Sequence, residues 1–239
     1  MSNYYSLIES GLIAKLLAVY KMGDASDSLG LYSGTARTGN TFTTANAVDG
    51  LACQFANSAT SGIVIPDNSA FSFTDNSVDK PFAVKFNVNT SVVTPTLSPI
   101  FARYTGSLSN ASEYLIYLRS TKVAILCFNK FSGGVYIGAE TVATIPANTA
   151  RNIIVSYSGS GSWTGITIEI NGLAQTLTNL SSPGTYVCMG NTAQSTMIGS
   201  YTNSTTSNYS GTIDELYVFN ALLTADEKEL LQTNFYPNI

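Results

Sequence analysis

The chain contains no histidine. That removes the usual general base near neutral pH and the usual nitrogen ligand for zinc. Ser-His-Asp and Cys-His chemistry are therefore excluded within this chain. Carboxylate chemistry remains, but its spacing is poor. Glu113, Glu140 and Glu169 stand alone, and Asp214 and Glu215 are adjacent, so in a regular strand they point to opposite faces. A retaining glycosidase needs two carboxyl groups about 5 Å apart. No Gly-rich phosphate loop is present. The three cysteines, Cys53, Cys127 and Cys188, lie far apart in apolar surroundings, which predicts buried free thiols. The expectation is a protein without catalytic residues.

Binding chemistry has better material. Sugar recognition needs aromatic rings beside polar groups. Trp163, Tyr201, Tyr209, Tyr104 and Tyr136 adjoin Gly-, Ser- and Asn-rich segments and are the candidate carbohydrate-binding residues, with Trp163 expected on an exposed loop. The segment Asp75–Asp79 alternates oxygen side chains but lacks the central Gly and final Glu of a calcium loop.

These residues must be positioned by strands. Phe82, Val84, Phe86 and Val88 alternate with Ala83, Lys85 and Asn87, the pattern of a half-buried strand. Further β runs are read at 100–104, 114–119, 123–128, 134–137, 152–157, 165–170, 173–177, 186–189, 196–198 and 213–219. Asn171-Gly172 and Asp49-Gly50 mark turns. Residues 12–20 fit a strand or a short helix. One helix start is clear: Thr224, with Glu227 three residues on, forms a capping box. Many strands and few helices predict an all-β, two-sheet antiparallel sandwich with a short C-terminal helix.

Composition narrows the setting. The 239 residues suit one large all-β domain, with residues 1–11 as an assembly arm. Charged residues are 11%, against roughly 25% in ordinary globular proteins, so Ser, Thr and Asn carry the polar surface. That suits a protein held in an assembly or working outside a cell. With a formal charge of −4 and scattered cations, no basic face for nucleic acid is expected. The apolar run at 12–20 is too short to span a bilayer, and no signal peptide is recognisable.

The ending Gly211-Thr-Ile-Asp-Glu-Leu-Tyr-Val-Phe-Asn220, followed by Ala-Leu-Leu-Thr-Ala-Asp-Glu227, resembles the close of laminin-G-like domains in the concanavalin A-like lectin/glucanase superfamily. Asp27-Ser-Leu-Gly30, Asp49–Phe55, Gly62–Pro66 with Pro81–Val84, and Ile166–Gly172 resemble earlier family blocks in order. The resemblance spans about residues 12–231. It implies a jelly-roll fold and a calcium ion at the sandwich rim, for which Asp214, Asp27 and Asp49 are the candidate ligands. The carboxylate motif of the family's glucanases is missing. Free-standing domains of this style resemble bacteriophage virion components. The expectation is a non-catalytic surface structural or adhesion protein (capsid decoration, head fibre or tail-associated) with glycan binding. Viral structural proteins, a second copy of the chain or surface glycans are its expected partners. It is placed in the virion, or otherwise in the cytoplasm or released by lysis. The alternative is a soluble bacterial lectin using calcium.

Overall fold

The computed structural model describes residues 11–48, 50–91, 97–108, 111–201 and 208–232. Its strands are β1 Leu16–Tyr20, β2 Thr35–Ala36, β3 Thr41–Thr43, β4 Ala52–Phe55, β5 Ile63–Ile65, β6 Phe82–Thr90, β7 Ser98–Arg103 and β8 Tyr114–Arg119. They continue with β9 Lys122–Phe128, β10 Tyr136–Thr141, β11 Arg151–Tyr157, β12 Ile166–Ile170, β13 Leu173–Ala174, β14 Leu177–Asn179, β15 Thr196–Ile198 and β16 Gly211–Phe219. Helix α1, Ala225–Gln232, closes the described chain. The ambiguous stretch at 12–20 takes both forms: residues 11–15 are helical and β1 follows.

The strands form two antiparallel sheets. Sheet A runs β13-β12-β11-β6-β16-β4-β3, with β1 also on β16; sheet B runs β14-β10-β9-β8-β7-β15-β5-β2. This is the two-sheet sandwich expected from the strand pattern, in the jelly-roll form that the family resemblance implied. The inward residues Phe82, Val84, Phe86 and Val88 of β6 meet Tyr114, Ile116 and Leu118 of β8 in one buried core. Phe73 stacks on Phe82 at 4.2 Å and Phe101 on Tyr114 at 5.6 Å. The three cysteines are free and buried.

Strand β16 changes partner midway. Gly211 to Ile213 pair with β4, and Leu216 to Phe219 pair with β1. The switch is a bulge between Asp214 and Tyr217 against β6, with Glu215 at φ +49°. The simple alternation expected for Asp214 and Glu215 is thus broken. The expected strand at 186–189 is likewise a loop. Its backbone is held by other means: Met189 N donates to Asp79 Oδ1 at 2.7 Å, and Lys130 N donates to Cys188 O at 2.8 Å.

The two outer faces differ. On sheet A, Leu12, Val19, Ala83, Ile154, Tyr217 and Phe219 pack with Leu223 and Leu231 around α1. The predicted capping box is present: Thr224 N donates to Glu227 Oε2 at 2.7 Å, and Glu227 N to Thr224 Oγ1 at 3.3 Å. Glu227 also pairs with Lys15 at 2.7 Å, tying the helix to the segment before β1. On sheet B, the outer cluster is made by strand and loop residues, including Ala102, Tyr104, Leu115, Tyr117, Leu126 and Phe128.

Candidate functional site

The outer face of sheet B follows from strand alternation. In β8, Tyr114, Ile116 and Leu118 enter the core, so Leu115, Tyr117 and Arg119 face out. Cross-strand neighbours place Leu115 opposite Ala102 and Leu126, Tyr117 opposite Ala124, and Leu126 opposite Gly138. Small residues beside large ones leave room for rings to lie over the sheet. Gly138 is needed there, because a Cβ would collide with the Leu126 side chain.

Four tyrosines gather on this floor. Tyr104 stacks on Phe128 at 5.2 Å, and Tyr201 meets Tyr104 edge-on at 5.3 Å. Tyr136 meets Phe128 edge-on at 5.9 Å. Tyr104 and Tyr117 are nearly buried, whereas Tyr136 and Tyr201 are half-buried. Gly106, at φ +86°, seats Tyr201: a Cβ there would lie 2.7 Å from its ring. The hydroxyls share one electrostatic neighbourhood. Burial, then the Tyr201 and Tyr136 hydroxyls, push the Tyr104 phenol above its ordinary pKa. Burial also raises Tyr117, with Arg119 opposing and Glu140, Tyr136 and Tyr104 adding to the rise. Among the described residues, none of these four hydroxyls has a protein hydrogen-bond partner. Aromatic rings with their phenol hydroxyls close together suit a polyol, which offers apolar C–H faces and many O–H groups.

The same face continues into charge. Glu140 accepts from Arg119 Nη1 at 3.0 Å and from Lys122 Nζ at 3.1 Å. Arg119, Ser120, Thr121, Lys122 and Glu140 line a hollow of about 300 Å³ at the β8–β9 turn.

Three of the five aromatic residues singled out from sequence, Tyr104, Tyr136 and Tyr201, therefore converge. Trp163 does not join them. It is half-buried against the main core in a short 3-10 turn, Trp163–Gly165, rather than exposed on a loop tip. Tyr209 is fully buried, with its ring edge-on to Phe55 at 6.1 Å and its hydroxyl donating to Thr212 O at 3.2 Å, so no ligand reaches it. Tyr117 was missed from sequence. Its signal was the pair Tyr117 and Arg119 on the outward phase of Tyr-Leu-Ile-Tyr-Leu-Arg.

Of the proposed calcium residues, Asp27 and Asp214 are each engaged by backbone N–H groups. Asp27 accepts backbone N–H groups from Val19, Leu29, Leu31 and Tyr32 at 2.8–3.2 Å, which closes the loop after β1. Asp214 accepts from Val48 N at 2.6 Å and Glu215 N at 2.9 Å, fixing the bulge. Asp49 lies outside the described residues. Among the described residues, no group of three or more His, Cys, Asp or Glu is placed to hold a metal ion.

Two buried carboxylates anchor loops at one end of the sandwich. Glu113 Oε1 accepts from Thr192 N and Thr192 Oγ1, each at 2.7 Å, and lies 3.1 Å from Arg103 Nε. Asp79 accepts from the Tyr157 and Tyr186 hydroxyls, both at 2.7 Å. Burial raises both pKa values, against the pull of these partners.

The family model Laminin_G_3, described as concanavalin A-like lectin/glucanases superfamily, matches residues 57–227. No curated protein matches the chain. Among solved structures, the binding domain of Paraclostridial Mosquitocidal Protein 1 superposes with a TM-score of 0.71 at 15% identity, over 95% of this chain and 53% of that one. Domain 4 of AbnA, a GH43 extracellular arabinanase from Geobacillus stearothermophilus solved with arabinotriose, gives 0.62 at 22% identity, over 89% of this chain and 96% of that one. The botulinum neurotoxin serotype D ligand binding domain, solved with N-acetylneuraminic acid, gives 0.64 at 12% identity, over 95% and 52%. The chain thus spans about half the length of the two toxin domains. At these identities the similarities establish the fold.

Proposed function

The chain belongs to the Laminin_G_3 family of the concanavalin A-like lectin/glucanases superfamily, and from that premise we propose a non-catalytic adhesion domain that holds glycan on the outer face of sheet B. The observation that carries this reading is the convergence over an apolar floor of Tyr104, Tyr117, Tyr136 and Tyr201, whose hydroxyls have no hydrogen-bond partner among the described residues. The arabinotriose complex of the AbnA domain, which has this fold along nearly its full length, supports it. The buried carboxylates Glu113 and Asp79 support a role in binding rather than hydrolysis, because both are engaged in holding loops. The charge-poor, Ser-, Thr- and Asn-rich composition supports a virion-surface setting, as decoration, fibre or tail component.

A glycan array with the isolated protein tests the reading. Saturable binding is expected, weakened by Tyr136→Ala and Tyr201→Ala. Tyr117→Phe removes one hydroxyl and should cost about 0.5–1.5 kcal/mol, or roughly two- to tenfold in Kd. A folded protein that binds no glycan would sink the proposal. Repeating the array with chelator tests for calcium; undiminished binding would remove the calcium-dependent lectin alternative. Mass spectrometry of native particles tests the virion setting, which requires stoichiometric copies of the chain.

A further inference from the structure

The tyrosine cluster does not end at the tyrosines. Tyr117 lies within electrostatic reach of Tyr104 and Tyr136 on one side and of Arg119 and Glu140 on the other. The four phenols and the β8–β9 turn therefore belong to one strip along the outer face of sheet B. Its length follows from β9: Phe128 lies beneath the tyrosines and Lys122 at the turn, so six residue steps of about 3.3 Å span roughly 20 Å. That is room for several sugar units rather than one.

The far end of the strip has positive charge to spare. Two cations, Arg119 and Lys122, share the single carboxylate of Glu140, which leaves one positive charge. Glu140 is nearly buried, but the Arg119 side chain is 50% exposed and that of Lys122 33%. Arg119 has five N–H donors and Lys122 three; among the described residues, each spends one on Glu140. Both side chains line the hollow together with Ser120 and Thr121. A carboxylate or sulfate seated there would gain charge-assisted hydrogen bonds.

We infer that the ligand is an acidic oligosaccharide, with its neutral sugars on the tyrosines and its anionic group at Arg119 and Lys122. This rests on the glycan-binding reading and specifies its substrate class. The test uses matched pairs: oligogalacturonate and its carboxyl-reduced form, sialyllactose and lactose, and a sulfated glycan and its desulfated form. Titration calorimetry is run in low and in physiological salt on the wild type and on Arg119→Gln, Lys122→Gln and Tyr136→Ala. Each charge variant leaves Glu140 one cationic partner, and circular dichroism confirms folding. At least one acidic member should bind about tenfold more tightly than its neutral partner in low salt. That preference should shrink with salt, and it should fall in both charge variants while neutral binding is kept. Tyr136→Ala should weaken both members. Equal affinity within every pair, or a preference untouched by Arg119→Gln and Lys122→Gln, would overturn the inference and leave the glycan-binding reading intact. Failure of every glycan to bind would overturn both.

Discussion

At the scale of single residues, polar groups in this protein are buried mainly where they hold backbone. Lys85 is a case with a measurable consequence. Its Nζ donates to Glu215 O at 3.3 Å and lies 4.9 Å over the Tyr217 ring. Burial pushes its pKa down to about 8, against the opposing pull of Glu215 and Asp214. The sign of the pH effect follows. Between pH 8 and the ordinary lysine range near 10.5, the unfolded chain holds this proton and the folded chain does not. Stability contributed by this site therefore rises with pH across that window and is lowest below it. Urea denaturation of wild type and Lys85→Met at pH 7.5 and 9.5 checks this, since the comparison cancels other titrating groups. The wild type should gain on the variant as pH rises, and an unchanged difference would refute the assignment. In the core, Phe86 is fully buried, and Phe86→Ala should cost about 3–5 kcal/mol in the same assay.

At the scale of elements, an eight-residue helix such as α1 is marginal by itself and depends on its cap and its docking. Glu227 serves both, through Thr224 N and Lys15. Glu227→Ala should therefore destabilise by about 1–2 kcal/mol, beyond the few tenths of an exposed helix position. Lys15→Ala should give only part of that loss, and equal losses would show that the ion pair, not the cap, dominates. Amide exchange in α1 would report the cap directly.

At the scale of the whole molecule, local pattern made most of the sandwich legible. The alternation of 82–88 needed no partner strand to be recognised, and the Thr224–Glu227 box spans four residues. What escaped depended on distant contacts. The loop at 186–189 carries strand-like residues, but its backbone is claimed by Asp79, 110 positions from Met189. Tyr209 has the flanks of a surface tyrosine, yet its hydroxyl lies 3.3 Å from that of Thr90, 119 residues away. Three site tyrosines could be named from their polar neighbours. The strand phase of β8 put Tyr117 and Arg119 on one face, but their shared surface with Lys122 and the other tyrosines forms only once β8, β9 and β10 are in register.

The partner change in β16 has a mechanical consequence. Leu16 sits opposite Phe219, so the start of β1 and the end of β16 lie side by side. Tension applied between the two ends of the chain would peel these strands apart, breaking the Asn220 N to Lys15 O bond and then each ladder bond in turn rather than all at once. Tension entering through the end of β16, which is also paired with β6, and leaving through a ligand on sheet B would bypass that seam. Single-molecule pulling in the two geometries should show a low rupture force for the first and a higher one for the second.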